Sequence, residues 1–179
     1  MKTYLRNFSN SLTASKNSIG LFYFGGHGIQ SKGENYLIPI GAMIEKEPDI
    51  ELETISLKRV MGEMYNDSIM INFIILDASR RNGITRLWAN DKNLGLARVF
   101  PDAYYYYMSS TTPGNVTTDG NSEMGIYANA LLKYLAVPNQ NFIDFLKSVR
   151  RDVYTSTNKK QIPYDNGETP YDFYFNKTE

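Results

Sequence analysis

The chain has one histidine, His27, and a serine 52 positions later, Ser79, that closes a stretch of similar plan. An imidazole within reach of a hydroxyl is a base and nucleophile pair, the minimum for acyl-transfer chemistry. Each residue follows an apolar run that breaks abruptly. Ile19–Phe24 runs into Gly25, Gly26, His27 and Gly28, and Ile71–Leu76 runs into Asp77, Ala78, Ser79 and Arg80. Such runs are expected as buried parallel strands of an α/β sheet, whose C-terminal ends bring distant side chains to one crevice. A histidine at a strand end is also a common structural residue, and its type alone assigns it no role. The flanking glycines leave the imidazole unshielded, and the amides of Gly28 and Ser79 are candidates for a pair of oxyanion donors.

The elements that must position this pair follow from periodicity. Leu5, Phe8 and Leu12 predict a short helix over Tyr4–Ala14, and Ser56 caps a second helix with Leu57, Val60, Met61 and Met64 on one stripe. Between them, Asn35–Ile40 and Met43–Lys46 read as hairpin arms around Pro39–Ala42. Tyr104–Met108 reads as a further strand whose polar exit, Ser109–Thr118, ends in the turn Asp119-Gly120. Ser122 is expected to cap a helix buried through Ala128, Leu131, Leu132 and Leu135. Asn139 is expected to cap another, buried through Phe142, Leu146, Val149 and Val153, and Tyr171–Phe175 reads as a last edge strand. The intervals between strands near 19–25, 70–76 and 104–108 are long enough for parallel crossovers, which predicts helices on both faces and His27 and Ser79 at one end.

Composition narrows the function classes. Lys+Arg and Asp+Glu are both 19, with no basic block, which argues against nucleic acid as a partner. The apolar runs are strand length, so a membrane span is not expected, and residues 1–18 lack the apolar core of a signal peptide, which makes the cytoplasm the expected location. With no cysteine and one histidine, no metal site is expected; only oxygen ligands remain, and Glu45, Glu47, Asp49, Glu51 and Glu53 read as a solvated acidic segment without the spacing of a calcium loop. No organic cofactor is implied.

FYFGGHGIQSKGENYLIPIGA and FIILDASRRN, continued through TTPGNVTTDG and QIPYDNGETPYDFYF, resemble the caspase-like peptidases, nearest to bacterial metacaspase-like members. The His27–Ser79 separation also fits the spacing of about 50 known for caspases. The resemblance implies a three-layer caspase-like α/β fold with a mostly parallel central sheet flanked by helices, as one domain over residues 1–179. It implies too that the first two family strands are absent, so that the chain is N-terminally truncated relative to the family. Ile19–Phe24 would then present an open strand edge for a second copy or a docking partner.

By the same resemblance, His27 is the general base and acid, Ser79 stands where the family has its nucleophilic cysteine, and Gly28 supplies an oxyanion amide. Asp77 and Asp119 select arginine or lysine in a substrate pocket, and Ser109 and Ser110 flank the bound peptide. Calcium dependence is common in the family. Residues 83–103 correspond to an active-site loop sometimes cut during activation, with Arg86, Lys92 and Arg98 as basic residues before a cut; an uncut solvated loop is the alternative. The departure at Ser79 matters most, because a hydroxyl is a far poorer nucleophile than a thiolate unless a well-oriented base assists it. The expected function is therefore a non-catalytic caspase-like domain, a pseudopeptidase that binds a peptide or partner bearing a basic side chain. The alternative is a cysteine-type endopeptidase cleaving after Arg or Lys, met here in a Cys-to-Ser inactivated form or as a natural Ser variant.

Overall fold

A computed structural model describes residues 1–67, 69–79, 95–117 and 124–178. After α1 (Lys2–Thr13), strand β1 (Ser18–Gly25) leads into a hairpin of β2 (His27–Ser31) and β3 (Glu34–Ile38). A short α2 (Asp49–Glu53) and β4 (Ile55–Ser56) precede α3 (Leu57–Met64), which delivers the chain to β5 (Ile69–Asp77). Then come β6 (Tyr105–Ser109), α4 (Ile126–Leu135), α5 (Phe142–Ser156) and β7 (Tyr164–Gly167). Two sheets result, a four-stranded one in the order β1-β5-β6-β7 and a three-stranded one in the order β2-β3-β4.

In the larger sheet β1, β5 and β6 are parallel, as their apolar runs predict, and β7 joins antiparallel. Alternation along β5 divides the core. Ile74 and Leu76 pack with α1 and α3, whereas Ile71, Phe73 and Ile75 pack under α4 and α5. The molecule is thus layered helix, sheet, helix, and the nine-residue β5, buried at every described position but one, is its spine. On β1, Phe22 and Phe24 lean on the α1 and α3 core, while Ile19, Leu21 and Tyr23 are 43–45 % exposed at the end of the strand order.

Several local expectations are corrected. The hairpin starts at His27 itself, because Lys32 (φ 52°) and Gly33 (φ 82°) both adopt positive φ, the two-residue turn geometry that matches strand twist. Met43–Lys46 forms no strand; Ile44 packs instead against Ile29 and Ile50. Tyr171–Phe175 is not a strand either. The edge of β6 is taken by β7, and Phe173 and Phe175 insert their rings into the α5 core while the Phe173 carbonyl accepts from the Phe142 N–H. Asn141 rather than Asn139 caps α5, accepting from the Ile143 N–H at 3.0 Å. Gly125 occupies the N-cap of α4, Leu132 is exposed, and Ser122 lies outside the described residues. Ser56 does cap α3, its side chain accepting from the Arg59 N–H.

Candidate active site

The register of β1 on β5 sets Gly25 opposite Asp77, so the two strands end side by side. Beyond the ladder the contact continues, with Gly26 N–H donating to Asp77 O at 3.1 Å and Gly28 N–H donating to Ala78 O at 2.8 Å. His27 and Ser79 are therefore carried to the same end of the sheet, on backbones bonded to each other. The His27 imidazole is exposed and Ser79 is 2 % exposed. No hydrogen bond joins their side chains among the described residues. The Ser79 carbonyl accepts from the Thr117 N–H at 2.7 Å, which ties the chain just past β5 to the segment after β6.

A side chain at Gly28 would require Leu96 to move. A Cβ there would lie 2.8 Å from Leu96 Cδ2 and 3.2 Å from the Ala78 carbonyl oxygen. Close packing, more than backbone freedom, accounts for this glycine. Its N–H, an expected oxyanion donor, donates to Ala78 O in this structure.

Ser109 and Ser110 close β6 at the same end, and both are buried. Ser110 N–H donates to Leu76 O, and Ser110 O accepts from Gln161 Nε2 at 2.8 Å. The Ser110 hydroxyl has no hydrogen-bond partner and is enclosed. The Tyr107 phenol, on the same strand, is pushed up to about 12 chiefly by burial.

Asp77, the residue expected to select a basic side chain, is 2 % exposed. Its charge acts on the enclosed Tyr127 phenol, which burial first, and Asp77 next, hold well above the usual tyrosine range. Tyr23 reaches the same neighbourhood, its hydroxyl lying 3.0 Å from where a Gly25 Cβ would stand. Neither tyrosine is singled out by sequence pattern, because aromatic residues on strand and helix faces read simply as core. Asp119, Arg86 and Lys92 lie outside the described residues. Arg98 is described, with its guanidinium 5.5 Å from the centre of the Tyr164 ring.

The acidic segment is locally engaged. Asp49 Oδ2 accepts from the Glu45 and Lys46 N–H groups, Glu47 accepts from the Ser31 hydroxyl, and Glu53 accepts from the Met43 N–H. Among the described residues no group of three or more His, Asp or Glu is disposed to hold a metal ion, and no helix is long and apolar enough to cross a membrane. A cleft of about 640 Å³ lies between α3 and residues 98–105, at the opposite end of β6 from Ser109.

Compared with known families, residues 1–174 match the peptidase family model described as "Caspase domain". A search of the curated proteins finds no match.

Proposed function

Since the chain belongs to the caspase-domain family, we propose that it is a non-catalytic member of that family, a pseudopeptidase of metacaspase-like type that binds a peptide or protein partner through a basic side chain. The observation that carries this reading is the serine at position 79, where the family resemblance expects a cysteine, in a chain that has none. A serine hydroxyl attacks only when a base is held on it. Ser79 is buried with no bond to His27, and the Gly28 amide that would stabilise an oxyanion is occupied by Ala78. Asp77 is the residue proposed to meet the basic side chain, with Asp119 as a second acidic position, and Ser109 and Ser110 as its neighbours. Because Asp77 is covered, binding requires the cover beside it to shift, and a bidentate arginine would then replace the local partners of the carboxylate. No cofactor is part of this reading. The cytoplasm is its proposed location, and the outer edge of β1 is its proposed docking edge for a second copy or another partner.

The test uses arginyl and lysyl reporter peptides, with and without calcium. No turnover is expected, and S79A should change nothing; turnover that S79A abolishes would overturn the proposal. Titration with short arginyl and aspartyl peptides should favour the arginyl one, because an acidic ligand brings like charge against Asp77. Equal or reversed preference would remove Asp77 from the site.

A second reading has one specific observation in its favour. His27 and Asp77 are both retained at adjoining strand ends, as a cysteine-type endopeptidase cleaving after Arg or Lys would need. S79C separates the two readings, since an inactivated or variant peptidase should regain cleavage after basic residues and a pseudopeptidase should stay silent with its fold intact.

A further inference from the structure

We infer that Asn35 and Gln30 are positioning residues for the His27 and Ser79 site, an inference that rests on the reading above in taking this end of the sheet as the functional one. The two are cross-strand partners on β3 and β2, so their side chains leave the hairpin on the same face. Both reach a distant piece of chain. Asn35 Nδ2 donates to Ala97 O at 2.9 Å while Asn35 Oδ1 accepts from Ala97 N–H at 2.7 Å, and Gln30 Nε2 donates to Gly95 O at 2.8 Å. A carboxamide that donates to and accepts from the same residue does for that backbone what a neighbouring strand would do. Residues 95–97 are thereby held along the hairpin in one register, although they form no ladder with it.

That register decides where Leu96 goes. Leu96 is 2 % exposed, and its Cδ2 occupies the space a Gly28 Cβ would need, beside the Ala78 carbonyl. Its own carbonyl accepts from the Gly114 N–H at 2.9 Å. Leu96 thus lies across the joint where Gly28 bonds to Ala78, touching the residues next to His27 and Ser79. Apolar packing alone would tolerate a slip along the chain, whereas three directional bonds to named backbone groups do not. Asn35 is itself 3 % exposed and Ala97 is half-buried, so removing the carboxamide leaves the Ala97 N–H and C=O without their protein partners. With 95–97 released, Leu96 lifts, the Gly28–Ala78 bond opens to solvent, and the spacing between the two strand ends is no longer set.

Hydrogen exchange followed by NMR on the full chain tests this in N35A, N35D and Q30A. In N35A the Gly28 amide should lose protection by roughly tenfold or more, the scale of one or two hydrogen bonds. Val60 and Val149, in the cores of α3 and α5, should keep theirs. N35D, which retains the acceptor for Ala97 N–H and loses the donor, should fall between wild type and N35A. Q30A should show a smaller change of the same pattern, and it carries the comparison if N35A does not fold. The ring signals of His27, unambiguous because the chain has one histidine, should shift or broaden in N35A. Unchanged Gly28 protection with Ala97 exchanging freely would overturn the inference, as would a uniform loss at Gly28, Val60 and Val149. Neither readout needs turnover or bound peptide, so the inference and the functional reading can fail separately.

Discussion

Phe73→Ala is expected to lower stability by about 3–5 kcal/mol, the usual range for truncating a fully enclosed aromatic ring. Phe73 has no exposure and sits on the α4 and α5 face of β5. Its ring centre lies 5.1 Å from that of Phe142, 4.7 Å from Phe173 and 5.4 Å from Phe175. The cavity left by truncation is therefore walled by rings from a helix and from the C-terminal segment, which cannot all collapse into it at once. Aromatic contacts, of which the Phe73–Phe142 pair is edge-on, are each worth about 0.5–1.5 kcal/mol beyond simple burial. The midpoint of thermal unfolding should fall by roughly 6–20 °C, taking about 2–4 °C per kcal/mol for a chain of this size. Phe175→Ala, which removes a partly buried ring from the same cluster, should cost less. Urea titration of the three proteins measures both differences, and a loss below about 1 kcal/mol for Phe73→Ala would mean that the cluster closes over the gap. Because β5 runs straight on to Asp77 and Ser79, the same truncation should also loosen the candidate site.

The second large effect is expected at the outer edge of β1, where the chain should associate as its concentration rises. Gly26 and Gly28 direct their N–H groups at the β5 side. Strand alternation then turns the N–H groups of Leu21 and Tyr23 outward, away from β5. The side chains of Ile19, Leu21 and Tyr23 stand at the same edge, nearly half exposed, and fully burying such a side chain is worth about 1.5–3 kcal/mol. Ser18–Gly25 carries no charge and no proline, the usual guards against edge pairing. Sedimentation velocity across a concentration series should show a growing larger species, with the Leu21 amide gaining protection in step. Leu21→Lys should weaken the association by roughly tenfold or more, since pairing would bury an ammonium group. A strictly monomeric protein whose Leu21 amide is strongly protected would contradict the expectation.

What was legible in the sequence, and what was not, divides along a physical line. Both Ile19–Phe24 and Ile71–Leu76 read as parallel strands because they are apolar at nearly every position, but only the second is an inner strand buried on both faces; β1 lies at the sheet edge with Ile19, Leu21 and Tyr23 exposed, which a continuous apolar run does not distinguish. The Ser56 cap and the stripe Phe142, Leu146, Val149 and Val153 were recognisable because capping and helical spacing are local. The hairpin turns at Lys32-Gly33 and not at Pro39–Ala42, although Lys32-Gly33 is the weaker turn signal, because Gly33 is where positive φ is needed. Strand β7, with the sequence YDNG, carries turn-forming residues. It is a strand because Tyr106 and Arg150 bond the Asp165 carboxylate, Asn166 bonds Val99 O, and β6 offers a free edge.

The sequence by itself determined the strand ends that carry His27 and Ser79, the absence of cysteine, and the family to which the pattern belongs, since each depends on residue identity or short-range periodicity. Tertiary structure alone decided that Asp77, Ser109 and Ser110 are covered, that the Gly28 amide is already used, and that Leu96 is pinned against it by Asn35 and Gln30. Exposure and hydrogen-bond occupancy are set by which distant segment lies alongside. Bonds spanning more than sixty positions, such as Asn35 to Ala97, leave no periodic trace in the chain that makes them.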